Sequence, residues 1–135
     1  MKQNPHSDPT LYLAMELSNR EWKLAFGDGR QERQVTIPAR DQARLRQAIA
    51  QAKTKLGLPA AAPIYSCYEA GRDGFWIHRL LEKIGVVNLV VDSASIEVNR
   101  RQRRAKTDRL DAQKLLTMLL RYRLYGETKL WSVVR

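Results

Sequence analysis

The sequence is short of several features, and each shortage excludes a class of protein. A single cysteine, Cys67, cannot form an internal disulfide or a cysteine-based zinc site. Because Cys67 lies in an apolar stretch, a buried packing thiol is favoured over a nucleophile. No apolar run approaches the roughly 20 residues that a membrane-spanning helix needs. The first residues, MKQNPHSDPT, are polar and unlike a secretion signal, so a cytoplasmic protein is expected.

Acidic residues are also in deficit, with 14 Asp and Glu against 24 Lys and Arg and a formal net charge of +10. A chain this basic is expected to bind a polyanion, and nucleic acid is favoured over an anionic membrane. The longest basic run lacks the interleaved apolar residues of a membrane-surface helix. At 135 residues the chain has the length of one domain with one substantial core.

The spacing of apolar residues predicts a mixed α/β protein. After a flexible tail at residues 1–10, the segments 11–17, 21–26 and 32–37 are typical of a three-stranded antiparallel meander. In residues 40–56 the apolar side chains recur at intervals of three and four, which predicts a helix that stops at Gly57. Residues 64–68 are a compact apolar run, typical of a strand buried on both faces.

The second half of the chain predicts a strand-helix-strand unit and a last helix. Asp73 is a candidate N-cap for a helix that ends at Gly85, and residues 86–91 form a second buried strand, which is expected to run parallel to strand 64–68. The last helix is predicted over 107–125, with Leu110, Leu115, Met118, Leu119 and Leu120 on its buried side. Together these elements predict a five-stranded mixed sheet with helices packed on it, in the order of the ribonuclease H-like fold.

Four acidic residues stand where this fold would bring them together. Asp108 and Asp111 are three residues apart in the predicted first turn of the last helix, so they share one helix face. Glu16 lies near the end of an otherwise apolar strand, and Glu69 follows a buried strand at its carboxyl end, where open α/β sheets place their sites. If the first and fourth strands are neighbours, both glutamates would face the start of the last helix.

Such a cluster predicts a divalent metal site. Carboxylates that lie close together repel one another, and hard cations such as Mg²⁺ or Mn²⁺ relieve that repulsion because they prefer oxygen ligands. Two such ions about 4 Å apart would clamp a phosphodiester. Alternatives remain: the acids could form separate surface salt bridges, and Asp108 could simply cap the helix. Asp92, at the end of strand 86–91, is a further candidate that better suits a cap or a loop.

A basic run directly precedes the two aspartates. Its cations are expected to hold a phosphate backbone across the carboxylates, with a salt-sensitive affinity that does not depend on base sequence. The alternative is a solvated basic loop. The residues concerned are Arg100, Arg101, Arg103, Arg104, Lys106 and Arg109.

Two segments carry a resemblance to a known family. CYEAG, residues 67–71, and RRAKTDRLDAQKLL, residues 103–116, resemble the N-terminal RuvC-like domain of the DEDD transposases of bacterial insertion sequences, which include the Piv DNA invertase. The resemblance spans residues 11–135. It implies a ribonuclease H-type domain whose acids bind Mg²⁺ (or Mn²⁺) and act on DNA in transposition and recombination. By motif, Glu69 is the family's glutamate, and Asp108 and Asp111 are its last two aspartates.

The chain departs from the family at two points. Glu16 stands where the family has an aspartate, and its longer side chain implies a displaced or weaker metal site, or one that favours Mn²⁺. The family also carries a C-terminal domain with a serine nucleophile. Residues 11–126 are therefore expected to form the RuvC-like domain and residues 127–135 an extension toward a missing serine domain. Such a fragment is expected to lack full recombination activity.

The resemblance also implies partners: DNA, a structured guide RNA made by the element, and further copies of the full-length protein in a homo-oligomer. It implies a nucleoid-associated bacterial protein and no membrane partner. The competing hypothesis is a non-catalytic, basic nucleic-acid-binding module, in which Glu16 marks a lost metal site. The two hypotheses differ in what the carboxylates do, because a binding module would lose affinity only when its cations are replaced.

Overall fold

The computed structural model describes residues 9–71, 75–92 and 110–134. Within them lie five strands and three helices, in the order strand, strand, strand, helix, strand, helix, strand, helix. Their bounds are β1 Leu11–Leu17, β2 Glu21–Gly27, β3 Glu32–Pro38, α1 Gln42–Lys55, β4 Ile64–Glu69, α2 Trp76–Lys83, β5 Val86–Val91 and α3 Ala112–Leu124. The five predicted strands are confirmed to within one residue at each end.

All five strands join one mixed sheet in the order β3-β2-β1-β4-β5. The first three strands form the predicted antiparallel meander. β4 pairs in parallel with β1 on one side and with β5 on the other. The conditional expectation that the first and fourth strands are neighbours is therefore confirmed. The order and directions are compatible with a ribonuclease H-like fold.

Helices cover both faces of the sheet, so each strand contributes to two cores. On β1, Leu13 and Met15 pack in the core that holds α1 and α2. Tyr12 and Ala14 face the other way, into the core that holds α3. Because successive side chains of a strand point to opposite faces, a strand buried on both faces is apolar throughout. Glu16 interrupts that pattern on the α3 face.

Local chemistry explains the limits of α1. The Asp41 carboxylate accepts the N–H of Arg44 at 3.0 Å and caps the first turn. After the helix, Gly57 has a φ of +71°, in the left-handed region where a glycine costs least. The predicted helix 40–56 and its stop are thus confirmed with small changes at the ends.

The predicted start of the last helix is wrong. Helix α3 begins at Ala112, with Asp111 as its N-cap in an extended conformation, rather than at residue 107. Leu110 is therefore not part of its buried side. The buried residues of α3 are Ala112, Leu115, Leu116, Met118 and Leu119. The cap of α2 also differs, since Phe75 occupies the N-cap without a side-chain hydrogen bond; the predicted cap, Asp73, lies outside the described residues.

The segment after α3 returns to the sheet. Val133 forms an antiparallel bridge with Val91 on the outer edge of β5, and Val134 N–H donates to the Val90 carbonyl at 2.7 Å. Leu130 and Trp131 are buried in the core beneath α3. The side chain of Trp131 therefore belongs to this core and is not exposed on the surface. Across the described parts of the chain, no helix has the length and apolar character needed to cross a membrane.

Candidate functional site

The ends of two parallel strands bring Glu16 and Glu69 to the same place. In the β1-β4 pair Met15 lies opposite Tyr68, so the two glutamates that follow lie at the same level. Alternation along each strand turns both carboxylates toward the α3 face. Glu69 is buried, with 6% of its surface exposed, and Glu16 is half-buried.

Both carboxylates bind the backbone that leads into α3. Glu69 Oε1 accepts the N–H of Leu110 at 3.1 Å, and Glu16 Oε1 accepts the N–H of Ala112 at 3.2 Å. Asp111 lies between these two residues. Three of the four predicted acids are thereby gathered around the first residues of one helix, although Glu16 lies 96 positions before the Ala112 whose N–H it accepts.

Asp111 has a structural task of its own. Its Oδ1 accepts the N–H of Lys114 at 2.8 Å, so the side chain caps α3. The positive end of the helix dipole lies at this terminus and favours negative charge there. The three acids therefore lie where the helix terminus favours negative charge.

The fourth acid, Asp108, and all six predicted phosphate-binding cations, from Arg100 to Arg109, lie outside the described residues. Within residues 9–71, 75–92 and 110–134, no three His, Cys, Asp or Glu side chains are arranged to hold a metal ion. Glu16 and Asp111 form no ion pair with any described residue, whereas the arginines that precede Asp108 and could form such salt bridges lie outside the described residues. Asp92 is exposed after β5, where its N–H donates to the Ser132 carbonyl.

Cys67, two residues before Glu69, is confirmed as a buried packing thiol. Burial raises its pKa far above the ordinary value, and the negative charge of Glu69 raises it further. The thiol is therefore neutral at physiological pH and is not a nucleophile. Its Sγ lies 3.9 Å from the carbonyl oxygen of Leu115 in α3.

A surface depression of about 570 Å³ continues the site beyond Glu16. It is lined by Glu16, Ser18, Arg20, Glu21 and Lys23. Lys23 lies directly opposite Glu16 in the β1-β2 pair, so the two side chains share a sheet face. Lys23 is not among the residues predicted for the site; the available signal is its exposed position in the polar-apolar alternation of β2.

On the opposite sheet face, a buried polar chain links β4, β5 and α2. The Ser66 hydroxyl donates to Asn88 Oδ1 at 2.6 Å, which leaves the Asn88 amide nitrogen to face His78 Nδ1 at 2.9 Å. His78 Nε2 lies 3.3 Å from Glu82. Both ring nitrogens of His78 therefore have polar neighbours, which gives this side chain a structural role.

The fold and the position of the acids define an α/β protein with two glutamates, at the ends of two parallel strands, that contact the start of the last helix. Comparison with known proteins adds one relative. The chain is 37% identical, over 130 residues that cover 93% of its length, to a Sinorhizobium fredii protein named "Putative transposase y4rJ". The matched region is 33% of that protein, so the chain spans about a third of its relative. No protein-family model matches the chain. No solved structure matches it.

Proposed function

We propose that this chain is the RuvC-like, ribonuclease H-type domain of a DEDD transposase and that it acts on DNA during transposition of an insertion sequence. The observation that carries the proposal is the convergence of Glu16 and Glu69 on the two backbone N–H groups that flank Asp111. The similarity to a protein named as a transposase supports the same class. The net charge of +10 fits a nucleic-acid partner.

Glu16, Glu69 and Asp111, together with Asp108, would hold Mg²⁺ or Mn²⁺. Their oxygen ligands fit a hard divalent cation in chemistry, and Glu69 is a buried carboxylate at a strand end. When bound, such a metal supplies Lewis-acid activation of a phosphodiester and of the attacking oxygen. Glu16, Glu69 and Asp111 form no metal-holding group by themselves within the described parts, and the proposed set therefore includes Asp108.

The protein's own groups prepare the site. The N–H groups of Leu110 and Ala112 orient the two glutamates, so each carboxylate keeps one oxygen in a fixed position. The cations between Arg100 and Arg109 would hold the phosphate backbone against the acids. A structured guide RNA and further copies of a longer protein are the remaining proposed partners.

A Mn²⁺ titration followed by NMR tests the proposal, because the paramagnetic ion broadens the amide signals near its site. We expect selective broadening of the Leu110 and Ala112 amides. Glu69→Gln and Asp111→Asn should abolish it, since each removes a charge but leaves an oxygen that can accept the backbone hydrogen bond. The matched control is Asp41→Asn, which changes the equivalent N-cap of α1 and should leave the broadening intact.

The second candidate is a non-catalytic nucleic-acid-binding module. The specific observation in its favour is that no trio of metal-holding groups lies within the described residues. Under this alternative, Mn²⁺ would broaden neither amide selectively, and the carboxylate variants would bind DNA as well as the unchanged chain or better. That result would exclude the metal-dependent proposal.

A further inference from the structure

Helix α1 carries a second concentration of positive charge, on the sheet face opposite the carboxylate site. Its fourteen residues include four cations and no acid. The buried residues of α1 belong to the core shared with α2, whereas those of α3 belong to the other core. The proposed transposase site does not account for this charge, because the sheet lies between the two helices.

The four cations form two rows, one along each flank of the helix. Arg46 and Lys53 are seven residues apart, nearly two turns, so they lie on one flank. Arg44 and Lys55 are eleven residues apart, about three turns, and lie on the other flank. The buried stripe of Leu45, Ala48, Ile49 and Ala52 separates the rows on the side that faces the sheet.

Toward solvent, the rows are separated by an uncharged ridge. Its side chains are small or neutral, and all are exposed: Ala43, Gln47, Ala50, Gln51 and Thr54. A helix with a neutral outer ridge and cations on both flanks presents charge to two parallel lines of anions, one on each side. The phosphate backbones that border a duplex groove form such lines.

The charges are available for a partner. Arg46 and Lys55 form no hydrogen bond or ion pair with any residue of the described ranges. Lys53 donates to the Ala60 carbonyl at 2.7 Å, and Arg44 donates to Gln47 within the helix. Neither contact neutralises a charge, because both acceptors are uncharged. The nearest acid in sequence, Asp41, is committed to the cap of the helix.

The helix dimensions select duplex DNA among nucleic acids. A helix with its side chains is about 10–12 Å across, and the major groove of B-form DNA is about 12 Å wide. The major groove of an A-form RNA duplex is too narrow for side chains to enter. The fourteen residues of α1 extend about 21 Å, enough to follow a groove past several phosphates.

We propose that α1 is a second DNA-binding element, which lies in the major groove of a duplex with Arg46 and Lys53 on one phosphate backbone and Arg44 and Lys55 on the other. This surface is separate from the carboxylate site and does not require a metal. A chain with both surfaces engages two segments of DNA, one on each face of its sheet.

The test is the salt dependence of binding to a fluorescently labelled DNA duplex, measured by anisotropy without divalent metal. Each lost phosphate contact reduces the slope of log K against log salt concentration by about 0.9. We expect that reduction for Arg46→Gln and for Lys55→Gln, and about twice as much for the double variant. Arg46→Lys and Lys55→Arg should keep the full slope.

Two control variants distinguish the loss of a specific phosphate contact from a general reduction in positive charge. Lys83→Gln removes an exposed cation from α2 in the same helix layer, and Gln51→Ala changes the neutral ridge; neither should alter the slope. Equal slope changes for Arg46→Gln and Lys83→Gln would overturn the proposal. Equal changes on duplex RNA would also overturn it, because groove entry is excluded there. The Mn²⁺ titration of Leu110 and Ala112 is independent of both outcomes.

Discussion

Glu69 is the residue whose environment is hardest to explain by stability alone. A buried carboxylate loses its hydration, and the loss is tolerated only when hydrogen bonds or charges compensate for it. The Leu110 N–H supplies one such bond. Glu16 makes the equivalent bond to Ala112, and its additional methylene relative to an aspartate lengthens its reach from β1 toward α3. The side chain of Glu16 therefore makes a defined contact with the start of α3.

Cys67 gives a prediction for alkaline pH. Its thiol has a raised pKa when folded, whereas an unfolded thiol titrates near 9.0. Above that value the unfolded chain loses a proton that the folded chain keeps, so stability falls as pH rises. We expect the unfolding free energy to decrease by up to about 1.4 kcal/mol per pH unit above pH 9. Urea unfolding below pH 10 measures this before Tyr12, whose pKa is also raised by burial, contributes.

Cys67→Ala is the control for that measurement. The variant lacks the thiol, so its unfolding free energy should decrease less between pH 9 and 10 than that of the unchanged protein. Any decrease that remains comes from other groups. If both proteins lose stability in parallel, the thiol is not the group responsible. The two proteins are compared by the slope of unfolding free energy against pH. The packing cost of removing the sulfur shifts the free energy at every pH and does not change that slope.

At the scale of elements, the residues at the start of α3 both stabilise the helix and contact the acids of the proposed site. Asp111 caps the helix, and the residues on either side of it hold the two glutamates. A rearrangement of this helix terminus would therefore move all three acids together. Asp41 caps α1 with the same type of hydrogen bond, from the N–H three residues on, but has no acidic neighbours of this kind.

These two caps form a matched pair. We expect Asp111→Ala and Asp41→Ala each to lower the unfolding free energy by about 1 kcal/mol, because each leaves a first-turn N–H without its side-chain acceptor. Only Asp111→Ala should weaken Mn²⁺ binding. Chemical denaturation and the Mn²⁺ titration measure the two effects separately. Loss of Mn²⁺ binding in Asp41→Ala would show that general destabilisation, and not the carboxylate, was the cause.

At the scale of the whole molecule, the segment after α3 completes the second core. The Trp131 and Tyr122 rings are in contact at a tilted angle of 41°, with centroids 5.5 Å apart, and Leu130 is also buried. The Val91-Val133 bridge attaches the same segment to the outer edge of β5. Residues 130–134 are therefore packed against the sheet and the α3 core.

Truncation of Trp131 should reveal that integration. Trp131→Ala removes a large buried side chain and is expected to cost about 3–5 kcal/mol of unfolding free energy. Tyr125→Ala is the matched control, since 65% of that side chain is exposed and its loss should cost about 0.5 kcal/mol or less. Equal destabilisation of the two variants, measured by urea unfolding, would contradict the assignment of Trp131 to the core.

Periodicity was sufficient to locate the elements, because it records which side of each segment is buried. The alternating pattern of β2 and the three-and-four spacing of α1 both proved correct. The start of α3 was misplaced because the stretch TDRLDAQ contains more than one residue able to cap a helix. The contacts that hold Leu110 and Ala112 come from distant strands, so the local sequence does not record them.

By itself, the sequence determined the types of the elements, the excess of positive charge and the identity of the acids, since these depend on local pattern and composition. Only the tertiary structure decided that Glu16 and Glu69 lie side by side on the same face of the sheet. Their alignment depends on the register between β1 and β4, and β2, β3 and α1 separate these two strands in the chain. The tertiary structure also placed α1 and α3 on opposite faces of the sheet. Each helix packs its apolar side on one face of the sheet, and which face it takes depends on chain connections and packing that the local pattern does not record.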